Sequence, residues 1–308
     1  MFRGRPPKEL IYETEFGFMF NGKAEEILSL ATLERMQGRI QLIFTSPPFP
    51  LNRKKKYGNL KGEEYINWLV MFGPLFKKML VPDGSIVIEM GNSWEAGHPI
   101  MSTLALRALL EFKDKNDLNL CQEFICHNPA RLPTPAQWVN VERIRLKDSY
   151  TRLWWLSPTR RPKADNKRVL KEYSSSMKEL LKRQKYNSGK RPSEHHIGDT
   201  SFLTNHGGAI PPNVLTIANT RANDKYQEFC RTHDLSLHPA RMPLELARFF
   251  IKFLTTPGDI ILDPFAGSNT TGSAAEALGR QWLCIEPDMS YIKGSLGRFE
   301  TFKMHQEL

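Results

Sequence analysis

Asp259-Ile260-Ile261-Leu262-Asp263-Pro264-Phe265-Ala266-Gly267-Ser268-Asn269 passes from an apolar triplet into a loop of small and turn-forming residues. The pattern predicts a strand over 259–262, a loop over 263–269 and a helix over 270–279. Trp282-Leu283-Cys284-Ile285 is a second apolar run, closed by Glu286. Strand, loop, helix, strand and terminal acid make a nucleotide-binding βαβ unit, in which the acid accepts hydrogen bonds from ribose hydroxyls. Gly267 allows a ligand close to the backbone. The loop lacks the several glycines that cradle a pyrophosphate, and Asp263 at the strand end repels phosphate and favours a cation. S-adenosylmethionine (AdoMet) fits: it carries adenosine, a sulfonium and an amino group, and no phosphate. An ordinary strand-to-helix turn with a surface acid is the competing reading.

The other end of the chain reads the same way. Ile40-Gln41-Leu42-Ile43-Phe44 is an apolar run stopped by Thr45-Ser46-Pro47-Pro48. Helical spacing covers 64–80, a turn falls at Pro82-Asp83-Gly84, and Ser85-Ile86-Val87-Ile88-Glu89-Met90 is a buried strand. A helix is expected over 100–113, a strand around 121–126 and a helix over 243–254. Between 130 and 236 the alternation breaks down among Pro, Gly, Asn and Ser. The expected organisation is one α/β domain built from both ends, a catalytic half at 1–129 and a cofactor half at 237–308, around an insert at 130–236.

The 308 residues carry 43 Lys+Arg against 33 Asp+Glu, a net charge of +10, with 40% hydrophobic residues. That apolar share excludes a disordered chain, and no apolar run reaches the roughly 18–20 residues of a membrane helix. The charge is regional. Residues 131–191 hold 17 basic and 5 acidic side chains, a net of +12, so the rest sums to −2. Trp138, Tyr150, Trp154, Trp155, Tyr173 and Tyr186 lie among these charges, and basic groups interleaved with aromatics suit phosphate contacts with base packing. A solvated charged face is the bland alternative. Arg143, Arg145 and Lys147 are the expected phosphate contacts here. Arg53-Lys54-Lys55-Lys56, just after the Ser-Pro-Pro turn, are expected to clamp a nucleic-acid backbone, with a charged surface loop as the competing reading.

Ser46-Pro47-Pro48-Phe49 closes a strand with two residues that have no amide N–H. What remains are acceptors, the Ser46 hydroxyl and the Pro47 carbonyl, beside an aromatic face. An exocyclic amine conjugated to a ring is a poor nucleophile. Two acceptors that bind its hydrogens draw the nitrogen towards tetrahedral geometry and free its lone pair. Phe49 can stack on a base turned out of its duplex. A rigid turn after a strand is the competing reading.

The two motifs, Thr45-Ser46-Pro47-Pro48-Phe49 and Asp263-Pro264-Phe265-Ala266-Gly267-Ser268-Asn269-Thr270-Thr271, resemble the catalytic and AdoMet motifs of β-class amino DNA methyltransferases, in that order and with a long insert between. The chain most resembles the PvuII-type cytosine-N4 methyltransferases, through Arg53-Lys54-Lys55, Tyr57-Gly58-Asn59, Asp148 to Trp155, Gly207-Gly208, Ile210-Pro211-Pro212-Asn213 and His238-Pro239-Ala240-Arg241. The resemblance implies a Rossmann-like AdoMet-dependent methyltransferase fold, with a mixed, mostly parallel sheet, flanking helices and the insert as target-recognition domain. It implies AdoMet contacts from Thr45, Asp263, Pro264, Phe265, Ala266, Gly267, Ser268, Glu286, His238 and Pro239. Ser46, Pro47, Pro48 and Phe49 would hold the target base, with Phe124 to Pro129 flanking it. It further implies site-specific methylation of cytosine N4 in duplex DNA, with CAGCTG as candidate site, and a cognate restriction endonuclease as functional partner without direct binding. Relatives often have Gly-Asp at Gly22-Lys23 and Gly at Asn269.

Adenine-N6 methylation on the same fold, methylation of a protein glutamine or RNA amine, and an inactive DNA-binding module are the rival readings. Cytosine-C5 chemistry needs a cysteine nucleophile, typically after proline. Cys121, Cys126, Cys230 and Cys284 follow other residues and have no zinc spacing, so core packing is expected for them and no metal. Met1-Phe2-Arg3-Gly4-Arg5-Pro6-Pro7 has no apolar secretory core. A cytoplasmic, nucleoid-associated protein of a prokaryotic cell is expected, as monomer or weak dimer.

Overall fold

β-branched and aromatic runs form ten strands of one mixed sheet in the computed structural model, which describes residues 7–49, 60–200, 202–219 and 224–306. In chain order they are β1 (Leu10–Glu13), β2 (Gly17–Asn21), β3 (Ile40–Thr45), β4 (Leu80–Gly91), β5 (Asn119–His127), β6 (Tyr150–Ser157), β7 (Val214–Thr216), β8 (Ile260–Asp263), β9 (Gln281–Glu286) and β10 (Lys303–Met304). Their spatial order is β7-β5-β6-β4-β3-β8-β9-β2-β1-β10. The pairs β7·β5, β4·β3, β3·β8, β8·β9 and β9·β2 are parallel, and β6 is antiparallel to both neighbours. The carboxyl ends of β2, β3, β4, β5, β7, β8 and β9 therefore share one edge of the sheet.

The helices are α1 (Ala24–Leu28), α2 (Gly62–Val70), α3 (Phe72–Met79), α4 (Leu104–Lys115), α5 (Ser175–Arg183), α6 (Lys225–Thr232), α7 (Leu244–Leu254), α8 (Thr270–Glu276) and α9 (Met289–Ser295). Side chains alternate along a strand, so the sheet feeds two cores. Ile43, Ile86, Ile88, Leu262, Leu283 and Ile285 meet α1 to α4 on one face. Leu42, Phe44, Val87, Ile261, Trp282 and Cys284 meet α7, α8 and α9 on the other. The expected α/β fold is the one observed.

The helix expected over 64–80 is two, α2 and α3. Pro74 has no N–H for the Val70 carbonyl four residues back. Asn116 Nδ2 donates to that carbonyl at 3.0 Å and to Phe112 O at 2.9 Å. Gly73 leaves room for it, since a Cβ there would lie 1.9 Å from the Asn116 side chain.

The middle of the chain differs from its reading as wholly irregular. Tyr150–Ser157 is β6, wedged between β4 and β5. Its tryptophans point to opposite faces, Trp154 into one core and Trp155 into the other, each at most 8% exposed. Trp138 is buried as well. The three tryptophans expected to pack on bases are core residues.

Asp165–Pro212 forms a second compact unit of its own. It holds α5, capped by Ser174 accepting from Met177 N at 3.2 Å, and a ribbon of Gly189–Lys190 with His196–Ile197. The Lys171–Ala209 bridge and the edge-to-face pair Tyr186–Phe202 hold it together. It carries 9 basic and 5 acidic residues. The boundaries expected at 130 and 236 enclose both this unit and β6.

Candidate active site

The shared carboxyl edge brings the ends of β8 and β9 beside those of β3 and β4. Asp263 ends β8 with 3% exposure. Its Oδ1 accepts from Thr45 Oγ1 at 2.7 Å and Phe265 N at 3.1 Å, and its Oδ2 from Thr271 Oγ1 at 2.6 Å. All three donors are neutral, and burial pushes the carboxyl up to about 6. Thr45 thus fixes the Asp263 carboxylate and joins the two halves of the chain.

Glu286 ends β9 and is buried. Its Oε2 accepts from Gly267 N at 2.8 Å and its Oε1 from Asp288 N at 3.0 Å. Burial pushes it up to about 7, and the Asp288 and Asp263 charges add to the effect. Gly267 has φ +51°, and a Cβ there would lie 2.9 Å from His238 Nε2. His238 is held through its backbone N–H, which donates to Tyr226 OH at 2.9 Å, and by its ring against Tyr291. Phe265 packs on Trp68 of α2 and Phe72 of α3. Pro264 is buried, Pro239 is exposed, and Ala266 N donates to Ile285 O at 2.9 Å.

Two further residues fix the loop and were not singled out in the sequence. Arg298 donates to the Ser268 carbonyl and, at 2.9 Å, to its Oγ, and lies over the Tyr226 ring. Tyr12 OH receives Asn269 Nδ2 at 3.0 Å. Asn269 is left-handed at φ 55° and caps α8 by accepting from Gly272 N at 2.9 Å. Asn is the residue after Gly that best tolerates this conformation, which accounts for Asn where relatives often have Gly. Lys23, the other departure, is exposed and pairs with Glu26 at 3.5 Å.

Both carboxyls bind protons more tightly in the fold than their ordinary values of 3.8 and 4.5. Their contribution to stability is full below that range and is lost as pH rises through about 6 and about 7. Thermal denaturation of the free protein should show Tm falling between about pH 4 and about pH 7, with Glu286→Gln flattening the upper part of the fall.

Beside this loop, Ser46 follows β3 half-buried and Pro47 is buried. Glu89 on β4 is 7% exposed. It accepts from Thr151 Oγ1 at 2.8 Å and lies beside Ser46, and burial raises its pKa while the hydroxyls of Thr151 and Ser46 and the Arg131 charge oppose the rise. Glu89 was missed in the sequence, although a lone acid inside Ser85–Met90 was the available signal. Phe49 lies on Gly91, where a Cβ would come within 2.5 Å of the ring. On the reading that Phe49 holds the target base, Gly91→Ala should displace the ring and lower kcat/KM for DNA by about tenfold, with AdoMet affinity unchanged by calorimetry.

Burial pushes the Cys121 thiol up to about 11 and Cys126 to about 12. Neither is a thiolate at neutral pH. Arg143 is exposed with φ +58°. Arg145 pairs with Asp148 at 3.4 Å, and Lys147 Nζ donates to Pro129 O and Arg131 O at 3.3 and 3.2 Å. Arg53, Lys54, Lys55 and Lys56 lie outside the described residues.

A model of the N6/N4 DNA methylase family matches residues 40–296. The chain belongs to this family. This DNA methylase is 41% identical over 302 residues to the type II methyltransferase M.PvuII of Proteus hauseri, covering 97% of this chain and 88% of that protein. Its fold superposes on a solved PvuII DNA methyltransferase, described as cytosine-N4-specific, with TM-score 0.76 and 36% identity over 96% of this chain and 90% of the other. The solved M1.HpyAVI–SAM complex shares the fold at TM-score 0.53 and 18% identity, over 92% and 98% of the two chains.

Proposed function

We propose that this DNA methylase transfers a methyl group from AdoMet to the exocyclic N4 amine of cytosine in duplex DNA, within a restriction-modification system. The observation that carries the reading is the contact of Ser46 with buried Glu89, at the same sheet edge as the buried pair Asp263 and Glu286.

The donor set fits AdoMet. Two buried carboxylates with only neutral donors on Asp263 suit a cationic ligand with ribose hydroxyls, and Gly267 leaves the space a Cβ would fill. Glu286 takes the ribose hydroxyls, Asp263 and Phe265 line the pocket, and His238 and Pro239 close its methionine side. AdoMet supplies an electrophilic methyl on sulfur.

Ser46 donates its O–H to Glu89 in a hydrogen bond, so its oxygen lone pairs face the target amine as acceptors. The Pro47 carbonyl takes the second N–H, and Phe49 holds the ring. The amine lone pair, freed from conjugation, would form the new N–C bond as the methyl–sulfur bond breaks and S-adenosylhomocysteine leaves. Glu89 is placed to take, through Ser46, the proton that the methylated nitrogen releases. Arg143 and Arg53 to Lys56 bind phosphates, while Arg145 and Lys147 fix the 128–149 segment that carries Arg143. The region 130–236, with Asp165–Pro212 as its compact part, reads the target site, for which CAGCTG is the first duplex to test.

Incubation with labelled AdoMet and duplex DNA, followed by nucleoside mass spectrometry, should yield N4-methylcytosine. N6-methyladenine would reassign the base, and no modified nucleoside would reject the reading.

A further inference from the structure

β5 ends at His127 and β6 begins at Tyr150, so residues 128–149 rise from the carboxyl edge that carries Ser46 and Glu89. Four large apolar side chains stand in solvent there. Leu132, Val141, Ile144 and Leu146 are 75%, 69%, 58% and 90% exposed, and Leu146 is the most exposed large apolar side chain among the described residues.

This lobe is tied down at many points. Asn128 N donates to Ser149 O at 2.7 Å, and Asp148 N to Thr134 O at 3.2 Å. Ile144 N and Arg145 N both donate to the carbonyl of Trp138, whose buried ring meets Trp94 edge-on. The charged ends of the residues flanking Leu146 turn back into the lobe, Arg145 to Asp148 and Lys147 to the carbonyls of Pro129 and Arg131. Leu146 is therefore presented outwards on a braced backbone. Clustered, exposed apolar side chains mark an interaction surface.

Position and charge select the partner. Thr151, the second residue of β6, donates to Glu89, which lies beside Ser46. The lobe thus stands beside the point that the reacting amine must reach, and it carries Arg131, Arg143, Arg145 and Lys147 against Glu142 and Asp148. A base reaching Ser46 leaves a gap in its stack, and leucine is among the side chains that proteins insert between base steps.

We propose that the 128–149 lobe enters the DNA base stack at the displaced nucleotide, with Leu146 as the wedge that holds the base out. This rests on the methylation reading above. The test uses full-length protein and synthetic duplexes carrying the site at which the wild-type protein deposits its methyl group, with the target cytosine either paired or opposite an abasic position. Unpairing is costly in the first duplex and nearly free in the second. Leu146→Ala should slow single-turnover transfer about tenfold on the paired duplex, and raise the abasic-to-paired rate ratio about tenfold over the wild-type ratio. Leu146→Met should restore the wild-type ratio. Because the ratio is internal to one preparation, a misfolded fraction cancels. Equal losses on both duplexes, or no loss on either, would overturn the wedge. So would Leu146→Ala breaking a dimer in sedimentation with the ratio unchanged, which would assign the patch to a second copy of the chain. A wild-type protein that modifies no duplex would remove the underlying reading and the wedge with it.

Discussion

Ser46→Ala is expected to cut methyl transfer by about two to three orders of magnitude, the usual cost of removing one preorganised group at a reacting centre. The substitution leaves β3 and both cores untouched, because Ser46 lies beyond Thr45, the last residue of the strand. It removes the acceptor facing the amine and the link from that amine to Glu89. Glu89 keeps Thr151 as donor, so the buried carboxylate is not left unpaired and the fold should hold. Asp263 keeps Thr45, Thr271 and Phe265, so AdoMet affinity should stay within about twofold of wild type, there being no lost contact to weaken it. Single-turnover transfer at saturating DNA and AdoMet, set beside calorimetric AdoMet binding, separates the two effects. Undiminished turnover would reject the acceptor pair.

The strand ends that carry the two motifs were legible because each closes an apolar run. Strands β3, β8 and β9 are short, buried on both faces and stopped by Pro47 or by an acid, and such runs carry their own boundaries. Glu89 was harder to see, because its meaning depends on Thr151 and Ser46, which come from two other segments and meet it only across the sheet. The strand Tyr150–Ser157 was hidden for a related reason. Its charged neighbours and paired tryptophans read as a binding surface, while the parallel placement of β4 and β5 leaves a slot that only an antiparallel strand buried on both faces fills. Trp154 and Trp155 are large because that slot feeds two cores. The break between α2 and α3 was signalled by Pro74, yet the continuity of the apolar face across it depends on Asn116, supplied from beyond α4. Arg298, too, acts on Ser268 from 30 residues away. Single-segment patterns reveal elements and their stops. Residues whose role is to satisfy a distant segment need the fold.

Glu286→Ala is expected to weaken AdoMet binding by about a hundredfold or more, since two losses add. The ribose loses a charged acceptor, and hydrogen bonds to charged groups are worth about 1.5–3 kcal/mol. The buried Gly267 amide, which Glu286 receives at 2.8 Å, loses its partner, at about 1–3 kcal/mol for a buried donor left unpaired, while the Asp288 amide, received at 3.0 Å on an exposed residue, can turn to water. The Gly267 amide matters most, because its left-handed backbone against His238 shapes the loop that the ligand enters. Glu286→Gln separates the contributions. It keeps a carbonyl oxygen for one amide but neither the charge nor the second acceptor, so its affinity should fall between those of wild type and the alanine variant. Its binding should also lose the rise with pH through about 7 that ionisation of Glu286 gives the wild type. Calorimetric titration with AdoMet at several pH values measures both effects. An alanine variant that binds AdoMet as wild type does would place the ribose elsewhere and detach Glu286 from the cofactor.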